Sequence, residues 1–448
     1  MSRDATQPSD VPEPIFAEQT VRSGPPPRDP TPTALGLPKA PVVAAIPTAA
    51  VKGPGADPLL FAAVIGLVGF GIVMVYSASA IYATQKFGLA TYFLRRDLLW
   101  SGLGLTALTI SLRTDYRAWR KYSYLMLGTA VGMLGAVLVV GSRINGARRW
   151  FHVGGISFQP AELAKLALVI YLAYSLAKKA EKVRSFTVGF VPHMIVCGTM
   201  MMLLLKQPDL GTAVILGLTT LLMLFVAGAK VSYIFIAFLG AAPIVYQAIV
   251  GTPWRMRRML AYLDPWQYRY DVGYQITESL ISVGSGGIHG LGLGDGRQKL
   301  LFLPEAHTDY ILAIVGEELG LVGICGVALV FAIIVWRGAR AALRARDPFG
   351  CYLAFGITAM FGLQALVNIG VVLGALPTKG LPLPFVSFGG STLVVDLFAM
   401  GILLDVSRGS EGRARRASPK SGIRAVFAPF TANRKKPGGG RRVIVDVG

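Results

Sequence analysis

Read along the chain, apolar residues gather into long runs broken by short polar stretches, with neither the strict alternation of half-buried strands nor the one-sided stripe of soluble helices. Runs of about the length needed to cross a bilayer, roughly 20 residues, recur from position 58 onward. The pattern predicts spans near 58–80, 94–112, 122–141, 160–177, 188–205, 211–229, 231–250, 310–336, 349–374 and 384–406. The expected fold is an all-α integral membrane bundle of about ten helices, because helices and closed barrels satisfy their own backbone groups in lipid and barrel alternation is missing. Two spans carry warnings. The second opens on Arg95, Arg96 and Asp97, and only Lys230 separates the pair around it.

Composition agrees. Hydrophobic residues make up 53% and charged residues 15% of the 448, where a soluble domain carries roughly a quarter charged. The three cysteines, Cys197, Cys325 and Cys351, fall in predicted spans and imply no disulfide framework. Residues 1–57, rich in Pro, Ala and Thr, read as a disordered cytoplasmic extension without a cleavable signal, and 58–408 as the membrane domain. Residues 409–448 form a basic cytoplasmic tail, expected to meet anionic lipid or a partner instead of nucleic acid.

Net charge is +20 and unevenly placed. Alternate short loops carry Arg113, Arg117, Arg120 and Lys121, then Lys178, Lys179, Lys182 and Arg184, then Arg337, Arg340, Arg344 and Arg346. The positive-inside rule puts these loops and both termini in the cytoplasm, so the long loop of about 251–308 faces outward. That loop holds Arg255, Arg257, Arg258, Arg269, Arg297 and Lys299, which either sit idly beside headgroups or meet an anionic, membrane-embedded substrate. Within it, Trp254–Tyr262 reads as a short helix on the membrane surface, and the Gly-rich stretch 284–296 as non-helical backbone packed on the bundle.

Candidate chemistry collects at the outer ends of the spans. Leu303-Pro304-Glu305-Ala306-His307-Thr308-Asp309-Tyr310 sets two acids and a histidine against a long apolar run. Helix capping needs one such residue, not the cluster, so a functional site is the stronger reading. Gln159-Pro160-Ala161-Glu162-Leu163 and Gln207-Pro208-Asp209-Leu210-Gly211 echo each other, each with a proline and an acid near a helix start. Glu162 and Lys165, at i,i+3, share a face and are read as a polar, outward-open site beside the cationic stretch Arg143–Trp150, with a structural ion pair as the alternative. Pro377 to Ser391 is a rigid external turn whose Lys379 faces the same side as Asp309, with Asn368 and Ser387 nearby. No metal-ligand spacing, Walker A sequence or nucleophile elbow appears.

Taken together, Gly146–Trp150, Gln159–Lys165, Gln207–Gly211, Gly273–Gln275, Gly290–Asp309 and Pro377–Ser391 resemble the SEDS family (shape, elongation, division, sporulation) of bacterial cell-wall glycan polymerases. The resemblance runs from the first span to about Arg408, and the motifs 303–309 and 377–380 look like its division branch. It implies a peptidoglycan glycosyltransferase that polymerises lipid II, an undecaprenyl-pyrophosphate disaccharide-pentapeptide, at the outer membrane face during septal wall synthesis. The family's essential aspartate matches Asp309, an inverting general base by that resemblance. Arg149, Glu162, Lys165, Gln207, Asp209, His307, Lys379 and Ser387 become expected substrate-binding residues. It leaves room for a divalent cation, Mg2+ or Mn2+, and implies a class B penicillin-binding protein transpeptidase and other division proteins as partners. A lipid II flippase, an elongation-type polymerase and a structural division scaffold are the competing readings.

Overall fold

A computed structural model of the chain describes residues 55–414 except Asn145, Gly155 and Leu301. The expected N-terminal extension and basic tail lie almost wholly outside the described residues. Twelve α-helices are described. They are α1 (Pro58–Phe87), α2 (Tyr92–Arg113), α3 (Arg117–Val140), α4 (Pro160–Lys178), α5 (Val191–Lys206) and α6 (Leu210–Val226), then α7 (Val231–Val250), α8 (Pro253–Leu263), α9 (Tyr274–Gly286), α10 (Ile311–Arg344), α11 (Pro348–Val372) and α12 (Ser391–Ala414). Between α3 and α4 runs a three-stranded antiparallel sheet of β1 (Ser142–Ile144), β2 (Ala147–Val153) and β3 (Ile156–Phe158), in that spatial order. The stretch expected as a cationic loop is therefore a small sheet, and α9 is a helix the apolar pattern did not predict.

Among the described residues, seven helices are long and apolar enough to cross a bilayer: α1, α3, α4, α5 with the turn before it, α7, α10 and α11. The expected spans at 94–112, 211–229 and 384–406 correspond to α2, α6 and α12. The first and last carry Arg95, Arg96 and Asp97, or Asp396, Asp405 and Arg408, and α6 has only 17 residues. Helix α12 starts seven residues later than expected, because Pro384–Gly390 forms a turn. The protein is a multi-pass membrane helix bundle. The cysteines sit in α5, α10 and α11 as free thiols.

Local chemistry sets the ends of these helices. Asp57 caps α1 by accepting the Leu59 and Leu60 amides at 3.1 Å each, with Pro58 in the first turn. Helix α4 is buried nearly all round and forms the centre of the bundle. Helix α7 has no buried residue and presents Phe235, Phe238 and Leu239 outward, as a lipid-facing helix does. Helices α2 and α12 pack closely, since a Cβ on Gly104 or Gly401 would collide with Leu397 or Ser111.

Helix α10 breaks at Gly320 (φ 67°, ψ −163°), where a side chain would strike the backbone of Ile288 and Gly290. The Gly-rich loop after α9 satisfies the carbonyls that this kink frees. The amides of Leu291 and Gly292 donate to the carbonyls of Glu317 and Glu318, each at 3.0 Å. The Glu317 carboxylate accepts the Arg297 amide at 2.6 Å, while Glu318 pairs with Lys299 at 2.7 Å and accepts Ser77 Oγ at 2.6 Å. Lys299 is thus fixed within the protein and does not serve as a substrate contact. The loop between α9 and α10 is clamped onto the break in α10, which holds the residues that follow it.

Candidate active site

Six side chains converge electrostatically where β2, α6, α8 and the loops before α10 and α12 meet: Arg149, Asp209, Arg255, Arg258, Asp309 and Lys379. Adjacent strand residues point to opposite faces, so Arg148 and Arg149 part company. Arg148 Nη1 caps the free carbonyls of Leu138 and Val139 at the end of α3, both at 2.9 Å. Arg149 turns to the other side and donates from Nε to the Gln207 carbonyl at 2.9 Å and from Nη2 to that of Pro208 at 2.6 Å. These bonds use two of five guanidinium N–H groups and leave three for a ligand.

Asp309 stands just before α10. Its carbonyl accepts Asn368 Nδ2 at 2.9 Å, and the same nitrogen donates to the Leu381 carbonyl at 2.7 Å. One α11 side chain therefore ties the two loops of the site together. A Cβ at Gly380 would lie 2.8 Å from Asp309 Oδ2, so glycine lets the lysine-bearing turn approach the carboxylate. Among the described residues the Asp309 carboxylate has no ion-pair partner. Burial and the neighbouring Glu305 push its pKa up to about 7 against the opposing pull of Arg149 and Arg258. Burial, with Arg255 and Arg258 close by, brings Lys379 down to about 8. A carboxyl group poised near neutrality suits proton abstraction from a hydroxyl, and the cations around it suit a polyanion.

The remaining expected site residues do other work. Asp209 caps α6, accepting the Thr212 amide at 3.0 Å and its hydroxyl at 2.8 Å, yet stays close enough to act on Asp309 and Lys379. Gln207 is buried and donates to the Leu134 carbonyl at 2.9 Å. Ser387 closes its own turn by accepting the Leu383 amide at 2.9 Å. The His307 ring lies among Tyr82, Phe93 and Phe388, at centroid distances of 5.8, 4.6 and 6.0 Å, and burial lowers its pKa.

Glu162 and Lys165 require a correction. They are not open to the outside: Lys165 Nζ lies 2.7 Å from Glu162 Oε2 and 2.6 Å from Gln364 Oε1, with side chains 2% and 3% exposed. Asp396 of α12, fully buried, acts electrostatically on both. The long-range chemistry that closes this pocket comes from α11 and α12, which the i,i+3 spacing alone could not reveal. An Asp inside the apolar run of α12 was the signal available for Asp396.

In the sequence Arg255 and Arg258 are two of six loop cations, with nothing to set them apart. Their i,i+3 spacing on α8 puts them on one face, whereas Arg257 is exposed and pairs with Asp271 at 3.5 Å. Arg269 pairs with Glu278 at 3.5 Å. Among the described residues no group of three or more His, Cys, Asp or Glu side chains converges.

Comparison with known proteins agrees with the geometry. The profile of the FtsW/RodA/SpoVE family, described as cell cycle proteins, matches residues 58–412. Probable peptidoglycan glycosyltransferases FtsW of Geobacter sulfurreducens and Geobacter metallireducens are 47% and 49% identical over 358 residues, covering 80% of this chain and 96% of each relative. Stage V sporulation protein E of Bacillus subtilis is 42% identical over 355 residues, covering 79% of this chain and 97% of its own. Among solved structures, a chain of a peptidoglycan synthase complex coordinating polymerization and crosslinking superposes with TM-score 0.66 at 29% identity, over 79% of this chain and 98% of that one. The rod shape determining protein RodA of Thermus thermophilus gives 0.60 at 28%, over 79% and 97%. With the bundle, the motif-bearing loops and near full-length relatives in agreement, the chain belongs to the FtsW/RodA/SpoVE family and is most like FtsW.

Proposed function

We infer that this protein is a peptidoglycan glycosyltransferase that polymerises lipid II into glycan strands for septal wall synthesis, with Asp309 as its general base. The observation that carries the assignment is an unpaired carboxyl group with a pKa near 7, set among Arg149, Arg255, Arg258 and Lys379. In the reaction, the GlcNAc 4-hydroxyl oxygen of one lipid-linked glycan attacks the MurNAc anomeric carbon of another. Asp309 takes the hydroxyl proton as the new C–O bond forms, and the bond to the pyrophosphate oxygen breaks on the opposite face of the sugar, inverting the centre. The leaving lipid pyrophosphate departs as an anion, so it needs charge stabilisation and not a strong acid. Arg149, Arg255, Arg258 and Lys379 supply that charge.

The Asp309 end of the bundle faces outward in this reading and both termini face the cytoplasm, as the placement of basic loops supports. Crosslinking of the product falls to a separate transpeptidase of the class B penicillin-binding type, a pairing supported by the polymerizing and crosslinking complex to which this fold is similar. The test is glycan synthesis from purified lipid II by the purified chain with its partner, the transpeptidase being inactivated. Long glycan products from the wild-type chain and none from Asp309→Asn are expected. Equal product from a folded Asp309→Asn chain would refute the role of Asp309.

A further inference from the structure

A second basic cleft lies at the end of the bundle remote from Asp309. It opens between the first turns of α3 and the last turns of α4, has a volume of 420 Å³, and is lined by Arg117, Arg120, Lys121, Tyr124 and Tyr174. Helices α3 and α4 flank the sheet that carries Arg149 at their other ends. At 1.5 Å per residue, the run of α3 from Arg120 to Val140 puts the cleft roughly 30 Å from that end. A pyrophosphate held beside Asp309 does not reach it.

No carboxylate lines the cleft. Arg117 has Asp347 at 3.9 Å, with the arginine side chain 50% exposed. The Arg120 guanidinium lies over the Tyr174 ring at 5.9 Å, and Lys178 Nζ over the same ring at 5.7 Å and 3.5 Å from its hydroxyl. Tyr124 meets that ring edge-on at 5.6 Å. Cation–π contacts orient two cations here without neutralising them, so their charge remains directed at an anion. One turn further into the span, Tyr124 and Leu125 are 58% and 63% exposed. The cleft thus joins a cationic end to an apolar wall, the two halves that a phosphate attached to hydrocarbon presents together.

We propose that this cleft binds the headgroup phosphate of an anionic phospholipid whose acyl chains lie along the exposed face of α3. The leaflet involved is the cytoplasmic one on the topology proposed above, but binding does not depend on that reading. Nor does it depend on glycan synthesis.

The full chain in mixed micelles of phosphatidylglycerol and phosphatidylcholine would be analysed by native mass spectrometry for retained lipid. Preferential retention of phosphatidylglycerol is expected, falling about fivefold for each of Arg120→Gln and Lys121→Gln, the strength of a juxtamembrane cation. Arg257→Gln, a charge change on α8, should leave retention unchanged. Equal retention of the two lipids, indifference to Arg120→Gln and Lys121→Gln, or complete displacement by inorganic phosphate would overturn the proposal, the last by making this a soluble-phosphate site. Should the substituted chains fail to fold, a photoreactive phosphatidylglycerol on the wild-type chain decides the matter. Adducts at Tyr124 or Leu125 support the site, and adducts confined elsewhere reject it. Lipid II polymerisation measured in the same micelles reports on Asp309 alone, so the two readings fail separately.

Discussion

The two ends of this bundle treat charge in opposite ways. At the end remote from Asp309, the carboxylates of Asp57, Asp347 and Asp405 are each engaged within the protein. Asp57 accepts the α1 amides and pairs with Arg337 at 2.5 Å; Asp347 accepts the Tyr116 hydroxyl at 2.5 Å; Asp405 accepts the Tyr116 amide at 2.9 Å and has Arg408 at 3.9 Å. At the other end Asp309 and Lys379 lie in one cluster without an ion pair between them, each pulled toward its neutral form by burial and by like-charged neighbours. The first arrangement spends its charges on joining helices. The second keeps them available, so that a proton and a polyanion can be handled there.

The most severe way to break this contrast is to remove the base. Asp309→Asn should lower polymerisation by about a hundred- to ten-thousand-fold, while insertion and partner binding persist. Radiolabelled glycan on gels, alongside co-purification of the transpeptidase, measures both.

Next in size is the buried centre, which separates structure from catalysis. Lys165→Met leaves two buried carboxyl groups without their cation and should destabilise the bundle by about 3–5 kcal/mol. Adding Glu162→Gln relieves only part of this, since Asp396 remains; adding Asp396→Asn as well should restore thermal stability. If Lys165 is structural, polymerisation returns with stability. A stable triple variant that makes no glycan would instead place Lys165 on the substrate.

The pH profile sharpens the contrast without breaking it. Asp309 must be ionised to act, so turnover should fall as pH drops through about 7. Lys379 must be charged, so turnover should fall again as pH rises through about 8. Arg258 favours the ionised carboxylate, and Arg258→Gln should move the acidic limb to higher pH. Glu305 disfavours it, and Glu305→Gln should move that limb lower. Limbs that ignore both substitutions would mean another group titrates.

The smallest effect is expected at Arg257, exposed and loosely paired with Asp271. Arg257→Gln should cost less than about 1 kcal/mol and leave turnover near wild type, while Arg258→Gln, one residue on, should not. Orientation can be probed with equally little disturbance. His289→Cys, exposed on the loop between α9 and α10, should react with an impermeant thiol reagent once the native cysteines are replaced, as the proposed outward orientation of that loop requires.

The sequence by itself determined where most of the chain is helical and apolar enough for a membrane, and it singled out candidate residues in the loops before α10 and α12. It could do so because span length and the cost of burying charge in lipid are local properties, visible in a window of twenty residues. It also reached the helix of α8 and the Gly-rich support, whose residue types dictate backbone form. Only the tertiary structure decided which charges meet. Lys299 goes to Glu318, Lys165 is shared between Glu162 and Gln364 with Asp396 close by, and Arg255 and Arg258 turn toward Lys379. Partners like Lys165 and Gln364, 199 residues apart, are brought together by helix packing, and no local spacing encodes that. The sheet around Arg149 was hidden for the same reason. Two of its strands have only three residues, too few to show a period, and its arginine owes its direction to the carbonyls of Gln207 and Pro208, supplied by the far end of α5.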